Sequence, residues 1–293
     1  MISSSLQNAI RTFISSNTGI SVLTFETSIV GGGSINQAYR LVINKKQKFF
    51  CKINTESRFP LMFEKEKNGL ELLASKKIIR VPLVIGTFTE NDQQVLLLEW
   101  IEQGIKSDRF WTLFGEQLAT LHRIPCTHAG LNEDNYMGAL SQSNRPLPDW
   151  IEFFIHQRLE PQIQLALDKN LLERRHHKQF EKLYNALPGI FPSGNLSLLH
   201  GDLWSGNFLC DQDSSPVLID PAVYQGHCAM DVGMTTLFGG FDALFYESYS
   251  RQLPFPSNYL QQWEICNLYP LLIHLNLFGR GYLQSILSTI QYY

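Results

Sequence analysis

Two carboxylates and an amide stand close together late in the sequence, and their types suit the transfer of a phosphoryl group. Asp202 is followed five residues later by Asn207, and Asp220 follows the apolar run 217–219. Phosphoryl transfer from ATP needs a carboxylate that orients the acceptor hydroxyl and takes its proton, and oxygen ligands that hold Mg²⁺ against the phosphates. Protein kinases carry these groups at the same spacing, in the motif H-R-D-x-x-x-x-N followed by a second Asp. We therefore predict Asp202 as the catalytic base, with Asn207 and Asp220 as Mg²⁺ ligands.

The surroundings of this motif favour the catalytic interpretation over an ordinary turn. Asp and Asn are common in turns, so an isolated D-x-x-x-x-N would indicate little. Here His200 precedes the motif, and one apolar strand leads into it while a second ends at Asp220. We expect His200 to brace the loop and not to act as the base. Three further histidines have no metal-ligand spacing and are expected to be structural: His122, His227 and His274.

A lysine and a glutamate earlier in the chain complete the set needed to hold ATP. Lys52 lies at the end of an apolar strand, 49–53, where a charge is rare unless it is paired. Glu66 lies on the next predicted helix. Alone, Lys52 could serve only to protect an edge strand from aggregation. Its position between a glycine run and the helix of Glu66 instead predicts the lysine–glutamate pair that grips the α- and β-phosphates.

The remaining candidate site residues are assigned by their position. The glycine run between two strands predicts a loop whose backbone N–H groups cover the phosphates; its residues are Gly32, Gly33 and Ser34. The segment after the last N-terminal strand is expected to contact adenine through its backbone; its residues are Glu99, Trp100 and Ile101. Trp204, inside the catalytic loop, could stack on a sugar face, although burial in the core is the commoner fate of tryptophan.

The elements that must position these groups change in character near residues 100–104. Before that point the pattern predicts an N-terminal helix, a strand at 25–29, a hairpin of 39–43 and 49–53, the Glu66 helix and a buried strand at 95–99. After it, helical patterns dominate, including one long pattern at 150–167 and one at 176–187. The loop 126–149 is long enough to suggest a functional role. We predict an α+β fold with two lobes, a small β-rich N-lobe at 1–102 that binds ATP and a larger, mainly helical C-lobe at 103–293.

Composition excludes several classes of protein. The chain has 293 residues, of which 44% are hydrophobic and 17% charged, and its formal net charge of -3 gives no basic field for nucleic acid. Its five cysteines are scattered without metal or disulfide spacing, which favours free thiols in a reducing compartment. No signal peptide or membrane-spanning run is evident. We expect a cytoplasmic protein, with a monomer favoured.

At the level of whole motifs the chain resembles the fructosamine/ketosamine-3-kinases, within the aminoglycoside phosphotransferase and protein-kinase-like superfamily. The most specific block is 200–207, His-Gly-Asp-Leu-Trp-Ser-Gly-Asn, and the stretch 219–241 is nearly as diagnostic. The blocks 32–41, 49–52, 62–66, 134–138 and 150–159 also resemble the family, so the similarity spans nearly the whole chain.

The resemblance implies an ATP- and Mg²⁺-dependent kinase that phosphorylates the sugar 3-hydroxyl of ketosamines. These are fructosamine, ribulosamine or erythrulosamine adducts, free or on protein lysines, and their phosphorylation leads to deglycation, a form of protein repair. The resemblance also suggests substrate contacts, which we assign to Trp204, Asn135, Tyr224 and His227. In two places the chain departs from the family pattern: Ala229 stands where Gly-His-x-Glu would place an acidic residue, and Cys51 stands where Val is usual.

Two other interpretations stay open at this point. A kinase for another hydroxylated amine, such as an aminoglycoside or choline, would share the Asp, Asn and Asp set and differ in its acceptor pocket. A kinase fold that only binds ligands is the other, and such proteins usually lose the base, a metal ligand or the strand lysine. This chain retains all of these groups: Lys52, Glu66, Asp202, Asn207 and Asp220.

Overall fold

The computed structural model describes residues 2–31, 35–191 and 196–293. The N-terminal elements are α1 (Ser4–Thr18), β1 (Phe25–Ile29), β2 (Gln37–Ile43), β3 (Gln47–Thr55), α2 (Met62–Ser75), β4 (Val84–Glu90) and β5 (Gln93–Glu99). Next come α3 (Asp108–His122), β6 (Asn135–Met137), β7 (Leu140–Gln142), α4 (Trp150–Phe153), a π-helix (Phe154–Leu159), α5 (Glu160–Asp168) and α6 (Arg174–Ile190). The remainder comprises β8 (Leu196–Leu199), β9 (Phe208–Cys210), β10 (Pro216–Leu218), β11 (Tyr224–His227), α7 (Ala229–Leu237), α8 (Ala243–Gln252), α9 (Tyr259–Cys266), α10 (Leu268–Phe278), a 3₁₀ turn (Arg280–Tyr282) and α11 (Leu283–Ile290).

The N-terminal part is built on one antiparallel sheet with the strand order β1-β2-β3-β5-β4. Helix α1 begins at its N-cap Ser3 and ends before Gly19, which adopts φ 71. It buries Leu6, Ile10 and Ile14 at helical spacing, in a core shared with the sheet. The predicted helix, strands and hairpin are thereby confirmed.

Two strands differ from the sequence-based expectation. Strand β4 has no clear signal in the sequence, because its residues lack an apolar alternation; in the structure none of them is fully buried. Strand β3 continues to Thr55, so Lys52 lies inside the strand and not at its end. Lys52 pairs with Ala38 of β2 on one side and with Leu96 of β5 on the other, so its backbone is held between two neighbouring strands.

The C-terminal part is mainly helical, as predicted, and holds three short two-stranded sheets. The boundary proposed at 102/103 falls in the connection between β5 and α3, where the N–H of Gly104 donates to the carbonyl of Cys210 at 2.8 Å. The single helix expected at 150–167 is instead interrupted by the π-helix. The loop 126–149 contains the hairpin of β6 and β7. No helix among the described residues is long and apolar enough to cross a membrane.

Candidate active site

The catalytic loop occupies residues 200–207, between β8 and β9. Strand β8 is completely buried and pairs with β11, so the loop starts from a fixed point. Gly201 adopts φ +83, and a Cβ there would lie 2.1 Å from the carbonyl oxygen of Ala222. The loop therefore requires glycine at this position. After β10 the chain reaches Asp220, whose φ of 54 lies in the left-handed region.

Asp202 and Asn207 are joined by direct hydrogen bonds within this loop. The Asn207 side-chain Nδ2 donates both to the Asp202 carbonyl and to its carboxylate oxygen Oδ2, each at 2.8 Å. This orientation leaves the Asn207 oxygen Oδ1 as an acceptor or metal ligand. The N–H of Ile219 donates to the carbonyl of Asn207 at 3.1 Å, so the loop is also tied to the segment that carries Asp220.

The environment of Asp202 adjusts its basicity. Burial raises the pKa of this carboxyl to about 7, with added repulsion from Asp220 and Asp231 and an opposing hydrogen bond from Asn207. A carboxyl group with this pKa is ionised in part at neutral pH and is a stronger base than a solvated aspartate. Asp202 is thus suited to accept a proton from a hydroxyl group.

His200 braces the loop, as expected from the sequence. Its ring is buried, and burial lowers the pKa of His200 despite the nearby carboxylate of Asp231, so the ring is neutral. The Nδ1 atom accepts from the N–H of Asp202 at 3.3 Å, and Nε2 lies 2.9 Å from the carbonyl of Ile219. The neutral ring therefore carries its proton on Nε2 and connects the base to the segment before Asp220.

A second buried carboxylate, Asp231 at the start of α7, holds the backbone of the same loop through hydrogen bonds. Its two oxygens accept the backbone N–H groups of His200 at 2.7 Å and Gly201 at 2.8 Å. Although burial opposes ionisation, hydrogen bonds and the neighbouring histidines lower the pKa of Asp231. His122 Nε2 lies 3.2 Å from the same carboxylate, and His122 Nδ1 lies 2.8 Å from the hydroxyl of Tyr249. The sequence contained Asp231 within a diagnostic block, but nothing local indicated this supporting role.

Lys52, Glu66 and Asp220 converge from three separate elements. The Lys52 Nζ lies 2.8 Å from Glu66 Oε1 and 2.7 Å from Asp220 Oδ1. Burial alone would lower the pKa of Lys52, but the two carboxylates outweigh it and raise that pKa. Burial raises the pKa of Glu66, opposed by Lys52 and assisted by Asp220. The predicted lysine–glutamate pair therefore forms, and the lysine also bridges to the expected metal ligand.

These groups open into one cleft, a cavity of about 230 Å³ between the two lobes. The polar residues that line it are Lys52, Glu66, Asp202, Asn207 and Asp220, together with Asn36, Lys65 and Asn135. The rest of its lining is mainly apolar and aromatic, and includes Tyr136, Met137, Trp204, Ile273, His274, Leu277 and Phe278. Three carboxylates line the cavity, and all of them contact Lys52 or Asn207. Trp204 lies at this cleft, so the structure places it where a sugar face could stack.

The other predicted ATP contacts are the glycine loop and the segment at the end of β5. The glycine loop residues Gly32, Gly33 and Ser34 lie outside the described residues. Glu99 ends β5, and its carboxylate accepts from the N–H of Leu83 at 3.1 Å and from Arg80 at 2.5 Å. The ring of Trp100 lies under the guanidinium of Arg40, 5.1 Å away, and Ile101 is buried. Because these side chains have other contacts, only the backbone of 99–101 is available to bind adenine. The adenine contact stays a prediction.

Two predicted substrate contacts need correction. Tyr224 is fully buried, with the Arg158 guanidinium 4.0 Å from its ring centre, and it does not line the cleft. His227 also lies outside the cleft; it packs against Trp150 and Phe191, and burial, with a smaller effect of His122, lowers the pKa of His227 to about 4. Both residues belong to β11, where side chains alternate between faces: Tyr224 points into the core, and His227 lies half-buried on the other face.

Asn135 lines the cleft, but both ends of its amide are already bonded. Its Nδ2 donates to the carbonyl of Val223 at 2.8 Å, and its Oδ1 accepts from Gln142 at 2.7 Å. These bonds fix the β6–β7 hairpin against the chain that follows Asp220. Ala229, where an acidic residue was expected, is buried at the start of α7 and does not line the cleft.

The structure adds His274, which the sequence analysis had treated as structural. It lies on α10 and lines the cleft. Its Nδ1 donates to the carbonyl of Pro270 at 2.7 Å, and burial lowers the pKa of His274. Its Nε2 is therefore an acceptor at neutral pH. No short-range motif links His274 to the catalytic loop, so only the tertiary structure identifies it.

The donor set fits a magnesium ion better than a transition metal. No group of three or more His, Cys, Asp or Glu side chains in the described ranges could hold a metal on its own. Asn207 and Asp220 instead offer an amide oxygen and a carboxylate, and Asp220 has 41% of its side chain exposed. Mg²⁺ prefers oxygen ligands and usually binds through one or two carboxylates together with substrate phosphates and water.

Comparison with known proteins gives one consistent picture. The family described as fructosamine kinase matches residues 6–293. A probable ketoamine kinase of Synechocystis is 38% identical over 278 residues, which cover 93% of this chain and 91% of that protein. The chloroplastic protein-ribulosamine 3-kinase of Arabidopsis thaliana is 36% identical over 270 residues, covering 90% of this chain and 81% of that protein.

Solved structures agree with the sequence relatives. A protein of Haemophilus somnus described as a fructosamine-3-kinase aligns with a TM-score of 0.88 and 27% identity, covering 97% of this chain and 96% of that chain. An aminoglycoside-3'-phosphotransferase of type VIII aligns with a TM-score of 0.52 at 18% identity, covering 83% of this chain and 93% of that chain. The second likeness concerns the fold alone, and it confirms the predicted kinase-like architecture of two lobes.

Proposed function

This chain belongs to the fructosamine kinase family, and from that premise we propose that it transfers the γ-phosphoryl group of ATP to the sugar 3-hydroxyl of a ketosamine. The acceptor would be a fructosamine, ribulosamine or erythrulosamine adduct, free or on a protein lysine. Phosphorylation there leads to loss of the sugar and restores the amine. One observation carries the proposal: Asp202, Asn207, Asp220 and Lys52 meet in a single cleft that aromatic side chains also line.

In the proposed reaction Lys52 neutralises the phosphates of ATP while Glu66 holds its ammonium group in place. Asp202 orients the acceptor hydroxyl and accepts its proton as the oxygen attacks the γ-phosphorus, while the bond from that phosphorus to the β,γ-bridging oxygen breaks and ADP leaves. Asn207 keeps that carboxylate in position through its Nδ2. Asn207 Oδ1 and Asp220 would hold Mg²⁺, which supplies charge neutralisation to the transferring group.

The acceptor side of the cleft supports a sugar adduct. Trp204 provides a ring face of the kind on which sugars stack, and His274 Nε2 provides an acceptor for a hydroxyl or amine proton. An aminoglycoside is a polycation and needs several spare carboxylates. The three carboxylates that line this cavity are already engaged with Lys52 or Asn207. Because no lining carboxylate is left to pair with a polycation, the cavity favours a ketosamine over an aminoglycoside.

ATP consumption by the purified protein with Mg²⁺ tests the proposal. Ribuloselysine, erythruloselysine and fructoselysine are compared with kanamycin and choline as acceptors, and the phosphorylated carbon is located by NMR. Turnover confined to the ketosamines, with the phosphate on O3, supports the proposal. Turnover only with kanamycin or choline would retain the phosphotransferase chemistry and reject the acceptor class. Nucleotide binding without turnover of any acceptor would favour a kinase fold that only binds ligands.

A further inference from the structure

A polar clasp joins helix α2 to the hairpin that lines the acceptor side of the cleft. We define the clasp by Lys65 and Asn68 on α2 and by Glu133 and Asp134 just before β6. Asn68 Nδ2 donates to Glu133 Oε2 at 3.0 Å, Lys65 Nζ lies 3.6 Å from Glu133 Oε1, and Lys65 also donates to the carbonyl of Asp134. The clasp therefore connects the two lobes at a second place, in addition to the covalent β5–α3 connection.

The α2 end of the clasp carries the residue that holds the phosphate-binding lysine. Glu66 lies between Lys65 and Asn68 on the same helix, and its carboxylate is 2.8 Å from Lys52 Nζ. A helix moves as a nearly rigid unit, because its backbone groups are bonded to one another. A shift of Lys65 and Asn68 must therefore move Glu66, and with it the ammonium group of Lys52.

The hairpin end of the clasp faces the acceptor. Tyr136, Met137 and Gly138 of the hairpin line the same cavity as Trp204 and the base. The Tyr136 hydroxyl also donates across the lobes, to the carbonyl of Pro60 just before α2, at 3.0 Å. An acceptor that packs on these hairpin residues consequently contacts the part of the C-lobe that grips α2.

The segment that precedes the hairpin is held in place by hydrogen bonds from a buried arginine and an asparagine. The buried guanidinium of Arg158 donates to the side-chain Oδ1 of Asn144 at 2.6 Å. Asn144 in turn donates to the carbonyl of Glu133 at 3.0 Å, and its own N–H donates to the carboxylate of Asp134 at 2.7 Å. The residues of the clasp are thus held on a rigid support, which a coupling element requires.

We propose that Lys65, Asn68 and Glu133 are positioning residues that couple acceptor binding to the grip of Lys52 and Glu66 on ATP. An occupied acceptor pocket stabilises the hairpin, the clasp holds α2 in place, and the lysine–glutamate pair is set against the phosphates. Nucleotide and acceptor then strengthen each other's binding, since such coupling is reciprocal. The proposal rests on the ketosamine kinase function for its acceptor, but the role of the clasp in nucleotide binding does not.

The test uses the non-hydrolysable analogue AMP-PNP with Mg²⁺ and measures its Kd by calorimetry, with and without saturating ketosamine. In the unaltered protein we expect the ketosamine to tighten AMP-PNP binding by about 5-fold or more. In Asn68→Ala/Glu133→Ala we expect weaker AMP-PNP binding without acceptor and a ketosamine effect close to 1-fold. Lys67→Met is the matched control, because Lys67 lies on α2 but pairs with Glu64 of the same helix.

A conservative variant guards against effects of misfolding. Glu133→Gln keeps an oxygen that can accept from Asn68 but removes the charge beside Lys65, so it should retain part of the coupling, with a thermal transition like that of the unaltered protein. Unchanged AMP-PNP affinity in Asn68→Ala/Glu133→Ala would overturn the proposal, as would a folded Glu133→Gln variant with no more coupling than Asn68→Ala/Glu133→Ala. If the unaltered protein phosphorylates no ketosamine, the proposed function fails, and the acceptor-free affinities alone still decide whether the clasp positions α2.

Discussion

The ammonium nitrogen of Lys52 lies 2.7 Å from a carboxylate oxygen of Asp220, which belongs to the other lobe. The same nitrogen lies 2.8 Å from Glu66, so one cation neutralises two carboxylates from different elements. Because Lys52 is only 4% exposed, this charge arrangement is a structural as well as a functional unit. Removal of the lysine leaves both carboxylates without compensation.

Variants of Lys52 and Glu66 distinguish the structural role of this charge arrangement from its role in catalysis. Lys52→Met should lower the free energy of unfolding by about 3 kcal/mol, because it leaves Glu66 beside Asp220 without a cation. It should also abolish most of the activity. Lys52→Met/Glu66→Gln should recover much of the stability and none of the activity. Urea denaturation and turnover assays check both, and a double variant no more stable than the single one would contradict the charge argument.

Removal of the catalytic carboxylate should lower activity and increase stability. Asp202→Asn should reduce kcat by about 10²-fold or more, since a positioned base contributes at least this much. The pKa of Asp202 is raised from 3.8 to about 7 in the folded protein, so the stability that this group contributes at low pH is lost as pH rises through 7. Asparagine does not titrate. The gain in Tm of the variant should therefore be near zero at pH 4 and largest above pH 7 in thermal melts without ligands.

The same ionisation predicts the pH dependence of the reaction. Only the deprotonated carboxylate can take the hydroxyl proton, so kcat/KM should rise with pH and level off above about 7. Because the pKa of Glu66 is also raised, Glu66→Gln serves as the control. The rise should persist in Glu66→Gln and disappear from the residual activity of Asp202→Asn. If the rise were lost only in Glu66→Gln, the titrating group would be Glu66 and the prediction for Asp202 would be wrong.

The buried carboxylate behind the loop should be needed for both folding and rate. Asp231→Asn keeps the size of the side chain but replaces one of the two accepting oxygens with a donor, which would face the N–H of either His200 or Gly201. We expect a loss of about 2 kcal/mol of stability, the scale for hydrogen bonds to a buried charge, and a lower kcat at unchanged KM for ATP. Asp242→Asn, at the exposed N-cap of α8, is the control and should leave kcat unaltered.

Two helical glycines form a matched pair for the packing of α2. A Cβ at Gly69 would lie 3.0 Å from Val223 Cγ2, whereas a Cβ at Gly189 on α6 would meet nothing within 4 Å. Gly189→Ala should stabilise the protein by about 0.5–1 kcal/mol, because alanine favours the helix. Gly69→Val should push α2 away from the segment after Asp220, weaken ATP binding and destabilise the fold. Denaturation midpoints and nucleotide Kd values distinguish the two sites.

The catalytic loop could be predicted from the sequence because its geometry is local. Asp202 and Asn207 are joined through a short loop between two strands, so their spacing alone places the amide beside the carboxylate. The pairing of Lys52 with Glu66 follows nearly as directly, because a strand and the helix after it have few ways to pack. The two-lobe fold was predictable for the same reason, from the change of hydrophobic periodicity along the chain.

Only the tertiary structure decided which distant residues join the site. Tyr224 and His227 lie in a family-like block, yet neither lines the cleft, while the packing of α10 brings His274 to it. Asp231 and the clasp of α2 with the β6–β7 hairpin likewise depend on elements that meet only after folding. Such contacts have no fixed spacing in sequence, because they are set by how helices and sheets pack against one another. The sequence by itself determined the chemistry of the loop, and the packing determined what supports it and what faces its substrate.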